Sequence, residues 1–123
     1  MRVAVMENTE ENLQSIKNCL HMLIPCSVVK GFTDGNAAKD WCEAHSGEID
    51  LFIGNWWSFE EKTNGPEGAN IISIVKWKKK PKIILCGDEE MFRNWSKKEK
   101  ADGFLLRPIT VEKLRDILEK VGA

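Results

Sequence analysis

The order of its apolar segments constrains the fold of this chain more than any other feature. Short, nearly continuous apolar runs alternate along the whole chain with stretches whose apolar residues recur every three or four positions. The runs are typical of strands buried on both faces, and the periodic stretches are typical of amphipathic helices. Five such pairs in 123 residues predict a single α/β domain covering residues 1–123. The predicted strands are residues 3–6, 26–29, 49–53, 82–86 and 103–106.

Local start and stop signals support the predicted helices. Asn8 or Thr9 can cap the first helix, which ends before Pro25. Asp88 can cap the fourth helix and Thr110 the fifth. The residues that we expect to face inward are Leu13, Ile16, Leu20, Leu23, Ala37, Ala38, Trp41, Cys42, Ile71, Ile72, Val75, Met91, Phe92, Trp95, Val111, Leu114, Leu118 and Val121.

Composition narrows the class of protein. The net charge of -1 gives no general attraction to nucleic acid or to an anionic membrane. No apolar run approaches the ~20 residues that span a bilayer, and an acidic residue follows the first apolar run too soon for a signal peptide. The four cysteines form no CxxC pair, so we expect small buried hydrophobes in a reducing cytoplasm: Cys19, Cys26, Cys42 and Cys86.

Several chemically notable residues fall where predicted strands end. They are Glu7, Asn8, Asn55, Cys86 and Arg107. In a doubly wound sheet, ligands bind outside the carboxyl ends of the strands, near the point where the winding order reverses. We therefore expect these side chains to share one crevice.

Four stretches in the same order and spacing resemble the receiver domain of two-component response regulators, over nearly the whole chain. They are residues 3–8, 32–38, 50–55 and 101–108. The resemblance implies a flavodoxin-like, CheY-like three-layer sandwich of five βα units. Its five-stranded parallel sheet would have the strand order 2-1-3-4-5.

The resemblance also implies that the family's phosphorylation chemistry has been lost. Asn55 is similar in position to the phosphorylated aspartate, and an amide cannot form an acyl phosphate. The acidic pair that holds Mg²⁺ corresponds to Glu7 and Asn8, so one carboxylate of three remains. Because Mg²⁺ depends on carboxylates to offset its reluctance to lose water, we expect weak or absent binding and no cofactor.

Three further positions depart from the family pattern. The threonine or serine of the switch corresponds to Cys86, whose thiol is a weak donor, and the switch aromatic corresponds to Phe104, which has no hydroxyl. The family's lysine corresponds to Arg107, and the peptide bond before Pro108 is expected to be cis. The resemblance is therefore to a degenerate pseudo-receiver without enzymatic activity and without a metal site.

The connection after Asn55 is longer than in the family and begins with two aromatic residues, Trp56 and Trp57. A loop of this kind could close over the vacated pocket. It could equally present an anchor to a partner, because tryptophan is frequent among the residues that dominate interface energies.

We expect a cytoplasmic signalling module that acts through protein–protein contact, as a monomer or weak homodimer. The expected partner is a histidine kinase, an output domain or another signalling protein, with no membrane and no direct nucleic-acid contact. The alternatives are a receiver phosphorylated elsewhere, and a flavodoxin-like small-molecule binder or enzyme using the crevice. A third is a nucleic-acid binder using the basic run 76–82 with Lys97, Lys98 and Lys100, although a solvated helix end also explains those lysines.

Overall fold

The computed structural model describes residues 1–57 and 64–123. Within them the chain alternates five strands with five helices, and the parallel sheet has the order β2-β1-β3-β4-β5. This confirms the predicted fold class and strand order. The elements are β1 Arg2–Met6, α1 Glu10–Leu23, β2 Val28–Phe32, α2 Gly35–Ala44, β3 Leu51–Asn55, α3 Gly68–Ile74, β4 Lys82–Gly87, α4 Met91–Lys98, β5 Gly103–Leu106 and α5 Val111–Val121.

Capping side chains fix the starts of three helices. The Thr9 hydroxyl accepts a hydrogen bond from the backbone N–H of Asn12 at 3.0 Å, which places the start of α1. Asp34 accepts from two backbone N–H groups at the start of α2, and Thr110 accepts from Lys113 at the start of α5. These bonds satisfy donors that the first turn of a helix leaves unpaired.

The sheet divides the core into two layers, because alternate residues of each strand face opposite sides. On one side, β1 residues Val3 and Val5 pack with α1 and α5. On the other side, Ala4 and Met6 pack with α2, α3 and α4. All five residues of β3 are buried, so the centre of the sheet is covered on both faces.

The second strand lies further along the chain than predicted. The sequence predicts it at residues 26–29, but β2 is Val28–Phe32, paired with β1 from Arg2↔Val28 to Met6↔Phe32. This strand forms the edge of the sheet, and Val28 and Lys30 point to solvent. Because polar and apolar residues alternate in β2, the more continuously apolar run at residues 26–29 was predicted as the strand.

Some residues expected to face inward do not. Phe92 and Ser96 form the buried face of α4, while Met91 is 45% and Trp95 36% exposed. The helix begins at Met91 rather than directly after Asp88, so the residues four apart that face the sheet are Phe92 and Ser96. In the other helices, Ala37 is exposed and Leu23, Trp41 and Val111 are half-buried.

The cysteines are only partly as expected. Cys42 and Cys86 are buried, which confirms the prediction for them. Cys19 is half-buried and Cys26 is exposed, so the prediction of burial was wrong for Cys26. Cys26 precedes β2 instead of lying in it, and its side chain therefore never enters the core.

Across residues 1–57 and 64–123, no helix combines the length and the apolar character needed to cross a membrane.

Candidate functional site

The carboxyl edge of the sheet brings together the residues that the sequence placed at strand ends. Glu7 follows β1, Asn55 is the last residue of β3, Cys86 lies near the end of β4, and Arg107 follows β5. Glu7, Asn55 and Cys86 are fully buried, and the Arg107 side chain is 9% exposed. The predicted crevice is therefore present, and its polar groups are withdrawn from water.

An ion pair between Arg107 and Glu7 occupies one half of this crevice. The Nη2 group of Arg107 donates to Oε1 of Glu7, and its Nη1 group donates to the exposed Asp88 carboxylate at 3.3 Å. Burial raises the pKa of Glu7 above its ordinary value, and the positive charge of Arg107 acts against that rise. The guanidinium thus supplies the positive charge that the buried carboxylate requires.

The pair leaves two buried atoms without a partner among the described residues. Oε2 of Glu7 and Nε of Arg107 accept and donate no hydrogen bond. Burying a charged group costs free energy unless all of its donors and acceptors are hydrogen-bonded. The charges in this half of the crevice are therefore neutralised, but its hydrogen bonds are incomplete.

The side-chain amide of Asn55 is bonded at both ends in the other half of the crevice. Its oxygen accepts from the backbone N–H of Gly68 at 2.9 Å. Its nitrogen donates to the Glu67 carboxylate at 2.5 Å and to the carbonyl oxygen of Trp56 at 3.3 Å. The amide therefore ties the end of β3 to the start of α3.

This tie depends on a close approach that only glycine permits. A Cβ atom at Gly68 would lie 2.4 Å from the backbone nitrogen of Asn55 and 2.5 Å from the Cα of Gly54. Since backbone atoms cannot move aside as a flexible side chain can, a side chain at position 68 would push α3 away from the strand.

Cys86 and Phe104, which the resemblance matches to the switch residues of receiver domains, are both buried. Burial, followed by the negative charge of Glu7, raises the pKa of the Cys86 thiol far above its ordinary value. Phe104 is 6% exposed, and the Arg93 guanidinium lies 5.1 Å from the centre of its ring. The peptide bond between Arg107 and Pro108 is cis, as predicted.

Asn8 lies beside the crevice, but its side chain is engaged elsewhere. Its Oδ1 atom accepts from the side-chain amide of Asn12 at 3.0 Å, within the first turn of α1. Its backbone N–H donates to Oε1 of Glu7 at 3.2 Å. Asn8 therefore contributes its backbone, and not its amide group, to the neighbourhood of Glu7.

The two tryptophans after Asn55 turn toward the protein. Trp56 is 7% exposed; its indole nitrogen donates to the Ser96 hydroxyl at 2.7 Å, and its ring stacks on Phe92 at 5.3 Å. Trp57 is half-buried and meets Phe92 edge-on. The possible role of Trp56 as an exposed interface anchor is therefore wrong. The expected connection continues through residues 58–63, which lie outside the described residues.

The donor set at this edge does not fit the magnesium ion of the receiver family. Glu7 is the one carboxylate at the three expected positions, and Arg107 already contacts it. The oxygen of Asn55 is held by Gly68, and the oxygen of Asn8 by Asn12. Among the described residues, no three histidine, cysteine or acidic side chains are grouped as metal ligands.

Sequence reasoning missed three residues that complete the site, namely Glu67, Asp88 and Ser96. Asp88 follows β4 directly, so its place at a strand end could have identified it, although it was assigned only a capping role. Glu67 lies in a connection without periodicity, and no motif or spacing in the sequence singled out Ser96. Only the three-dimensional path of the chain brings these two to Asn55 and Trp56.

No protein-family model matches this chain, and no curated protein matches it in sequence. Solved structures do match. The response regulator receiver domain (CheY-like) from Methylobacillus flagellatus has a TM-score of 0.78 and 15% identity, over 98% of both chains. The chemotaxis protein CheY4 from Vibrio cholerae has a TM-score of 0.73 and 20% identity, over 98% of this chain and 97% of that one.

A third match is the response regulatory domain of the protein mrkE from Klebsiella pneumoniae. It has a TM-score of 0.80 and 14% identity, over 99% of this chain and 95% of that one. These likenesses show that the chain has the fold of CheY-like receiver domains. At such low identity, its function has to be argued from its own residues.

Proposed function

We propose that this protein is a signalling module of the receiver type that acts through protein contact without phosphorylation of an aspartate. The observation that carries the proposal is the state of Asn55. In the resemblance to receiver domains Asn55 corresponds to the phosphoacceptor, and its amide is bonded to Gly68, Glu67 and Trp56.

The chemistry of this position supports the proposal. Transfer of a phosphoryl group to a side chain here would need a carboxylate oxygen as nucleophile, and a neutral amide offers none. The Glu67 carboxylate contacts Asn55 itself, which would bring negative charge against an incoming phosphoryl group. Arg107, the one cation that the described residues place in the crevice, is committed to Glu7 and Asp88.

A module of this kind holds one conformation or shifts between two when a partner binds one of them better. The partner that we propose is a histidine kinase, an output domain or another signalling protein in the cytoplasm. Phosphorylation would then shift no conformational equilibrium of the isolated domain. The association of the domain with its partner would be constitutive.

The face formed by α4, β5 and α5 is the contact surface that we propose. It contains a cavity of about 350 Å³ whose apolar floor includes Phe104, Leu106 and Ile117. Arg93 and Lys113 stand at its rim. An apolar floor with a charged rim resembles the anatomy of a transient interface, in which the charges set orientation and salt dependence.

The test combines a phosphodonor with a phosphoryl mimic. After incubation with acetyl phosphate and Mg²⁺, the intact mass should be unchanged, while a receiver that has the aspartate gains one phosphoryl group under the same conditions. Sedimentation should show the same species with and without beryllium fluoride. A phosphate mapped near Asn55 or Glu7, or a dimer formed only with beryllium fluoride, would contradict the proposal.

A further inference from the structure

Two lysine-rich segments that are separate in sequence meet at the amino-terminal edge of the sheet, opposite the crevice. Residues 76–82 contain five lysines and residues 97–100 contain three. The two segments share one cavity of about 270 Å³, whose charged lining residues are Lys80, Lys98, Lys100 and Glu99 and whose other lining residues are Ile72, Ser73 and Ile83. We call these eight residues the lysine edge: Lys76, Lys78, Lys79, Lys80, Lys82, Lys97, Lys98 and Lys100.

The lysine edge gives the domain a strong charge asymmetry. All eight lysines are exposed. The two segments hold eight of the 18 basic residues of the chain and only one of its 19 acidic residues, Glu99. The remaining ten basic and 18 acidic residues therefore carry a net charge of -8, against +7 for the two segments. The net charge of -1 therefore hides a local excess of positive charge in these two segments.

Three other carboxylates near this edge, Glu48, Asp50 and Asp102, are already engaged. Glu48 pairs with Arg2 and His45, and Asp50 accepts from the backbone of Arg2 and pairs with Lys79 at 3.3 Å. The Asp102 carboxylate accepts from a backbone N–H of β4. Within the described residues, Lys79 is the only member of the lysine edge in an ion pair, so seven ammonium groups remain available to an external anion.

The character of the lysine edge excludes close, directional recognition. It contains no arginine, the residue suited to bidentate contact with a phosphate or carboxylate. The helices that end beside it, α3 and α4, present their C-terminal carbonyl groups, which repel a closely bound anion. Lysine is also depleted from the cores of protein–protein interfaces.

The aromatic residue within the first segment is not available for stacking on nucleobases. The indole nitrogen of Trp77 donates to the carbonyl oxygen of Ile72 at 3.1 Å, and its ring packs 6.2 Å from that of Phe52. A single-stranded nucleic acid is normally held by exposed aromatic platforms together with cations. The lysine edge offers the cations alone.

We infer that the lysine edge binds the surface of a bilayer rich in anionic lipids. Hydrated ammonium groups on long stems suit a diffuse, planar array of negative charge, which attracts clusters of four to eight basic residues without specific contacts. The sequence pointed away from membranes because the total charge is close to zero, but the fold gathers two lysine-rich segments at one edge.

The carboxylates at the crevice edge do not oppose this binding. The strands of five residues span roughly 17 Å, which separates the crevice edge from the lysine edge. Electrostatic interactions are screened over about 8 Å at physiological ionic strength. An anionic surface that touches the lysine edge therefore experiences the local positive charge and little of the charge at the crevice edge.

The test is co-sedimentation with vesicles of phosphatidylcholine alone and of phosphatidylcholine with one-third phosphatidylserine. The protein should bind only the phosphatidylserine vesicles, and binding should weaken as salt is raised. The variant K78Q/K80Q/K98Q should lose affinity by about a hundredfold, because each lysine near such a surface contributes roughly fivefold. The control variant K17Q/K30Q/R115Q removes the same charge elsewhere and should bind as the wild type does.

Equal binding to both kinds of vesicle would overturn the inference. An equal loss of affinity for phosphatidylserine vesicles in the two triple variants would also overturn it. Duplex DNA and polyglutamate are the competing probes. Binding to either one that depends on the three lysines, without binding to phosphatidylserine vesicles, would assign the edge to a nucleic acid or an acidic protein instead. Since Lys78, Lys80 and Lys98 are exposed, K78Q/K80Q/K98Q should unfold near the wild-type temperature. Thermal denaturation of both triple variants verifies that each is folded.

Discussion

The side-chain nitrogen of Asn55 lies 2.5 Å from a carboxylate oxygen of Glu67, so the amide at the acceptor position donates to an acid. An aspartate at position 55 could not make this bond, because two carboxylates would face each other at the same distance. In this chain, the asparagine and the glutamate are therefore complementary. Restoring the family residue alone would create a repulsive contact.

Asn55→Asp should lower the free energy of unfolding by at least about 2 kcal/mol, through the lost donor and the new like-charge contact. Asn55→Asp with Glu67→Gln should recover most of that loss, since the glutamine amide can donate to the new carboxylate. Urea denaturation of the two single variants and the double variant measures the coupling. The interpretation fails if Glu67→Gln destabilises the Asn55→Asp background as much as it destabilises the wild type.

Recovery of phosphorylation should require more than the acceptor. Asn55→Asp alone should react poorly with acetyl phosphate, because Asn8 supplies no charge and Arg107 occupies Glu7. Asn55→Asp with Asn8→Asp should react measurably, and adding Arg107→Lys should increase the rate further. Intact-mass measurements with Mg²⁺ and with EDTA would rank the three variants. A single variant that reacts as fast as the triple variant would refute this account of the site.

Glu7 should make stability depend on pH in a defined direction. Burial raises the pKa of Glu7 above 4.5, so the folded state holds this proton more tightly than the unfolded state does. The stability that Glu7 contributes through this proton is then fully present below pH 4.5 and is lost as the pH rises through the folded-state pKa. The difference in unfolding free energy between the wild type and Glu7→Gln should therefore fall with rising pH in urea denaturation. A rising difference would mean that the charge of Arg107 outweighs burial.

The bond from Trp56 to Ser96 should be important for stability, because both groups are buried. Ser96→Ala should cost about 1–3 kcal/mol by leaving the indole N–H without an acceptor. Ser73→Ala is the matched control, since the Ser73 hydroxyl is exposed and bonds only to a carbonyl of its own helix. It should change stability by no more than about 0.5 kcal/mol. Equal losses in the two variants would mean that the indole has another acceptor.

The sequence was sufficient for the fold because buried parallel strands have a simple signature. β1, β3, β4 and β5 are continuous apolar runs, and each lies within about two residues of its predicted position. The edge strand β2 is half polar and lacks that signature, which is why its prediction was displaced. The grouping of Glu7, Asn55 and Arg107 at one edge followed from topology alone, since parallel strands end on the same side.

The partners of those residues could not be predicted in the same way. Glu67 reaches Asn55 only through the path of a connection that has no periodicity. The sequence left open whether the loop that begins at Trp56 closes over the pocket or presents an anchor to a partner. In the structure the backbone N–H of Trp56 bonds to the carbonyl oxygen of Cys86 at 2.8 Å. This bond carries the strand one residue further and directs the indole toward α4. Both outcomes depend on contacts between segments that are far apart in sequence.

Because all five strands run in one direction, the sheet has two ends with different chemistry, the withdrawn polar crevice at one and the lysine edge at the other. A ligand at one end leaves the opposite end uncovered. If a partner binds the proposed α4–β5–α5 face and an anionic surface binds the lysine edge, the domain would act as a bridge that holds the partner at a fixed orientation to that surface. Such a bridge would need no internal rearrangement, which suits a module whose central asparagine is tied in place.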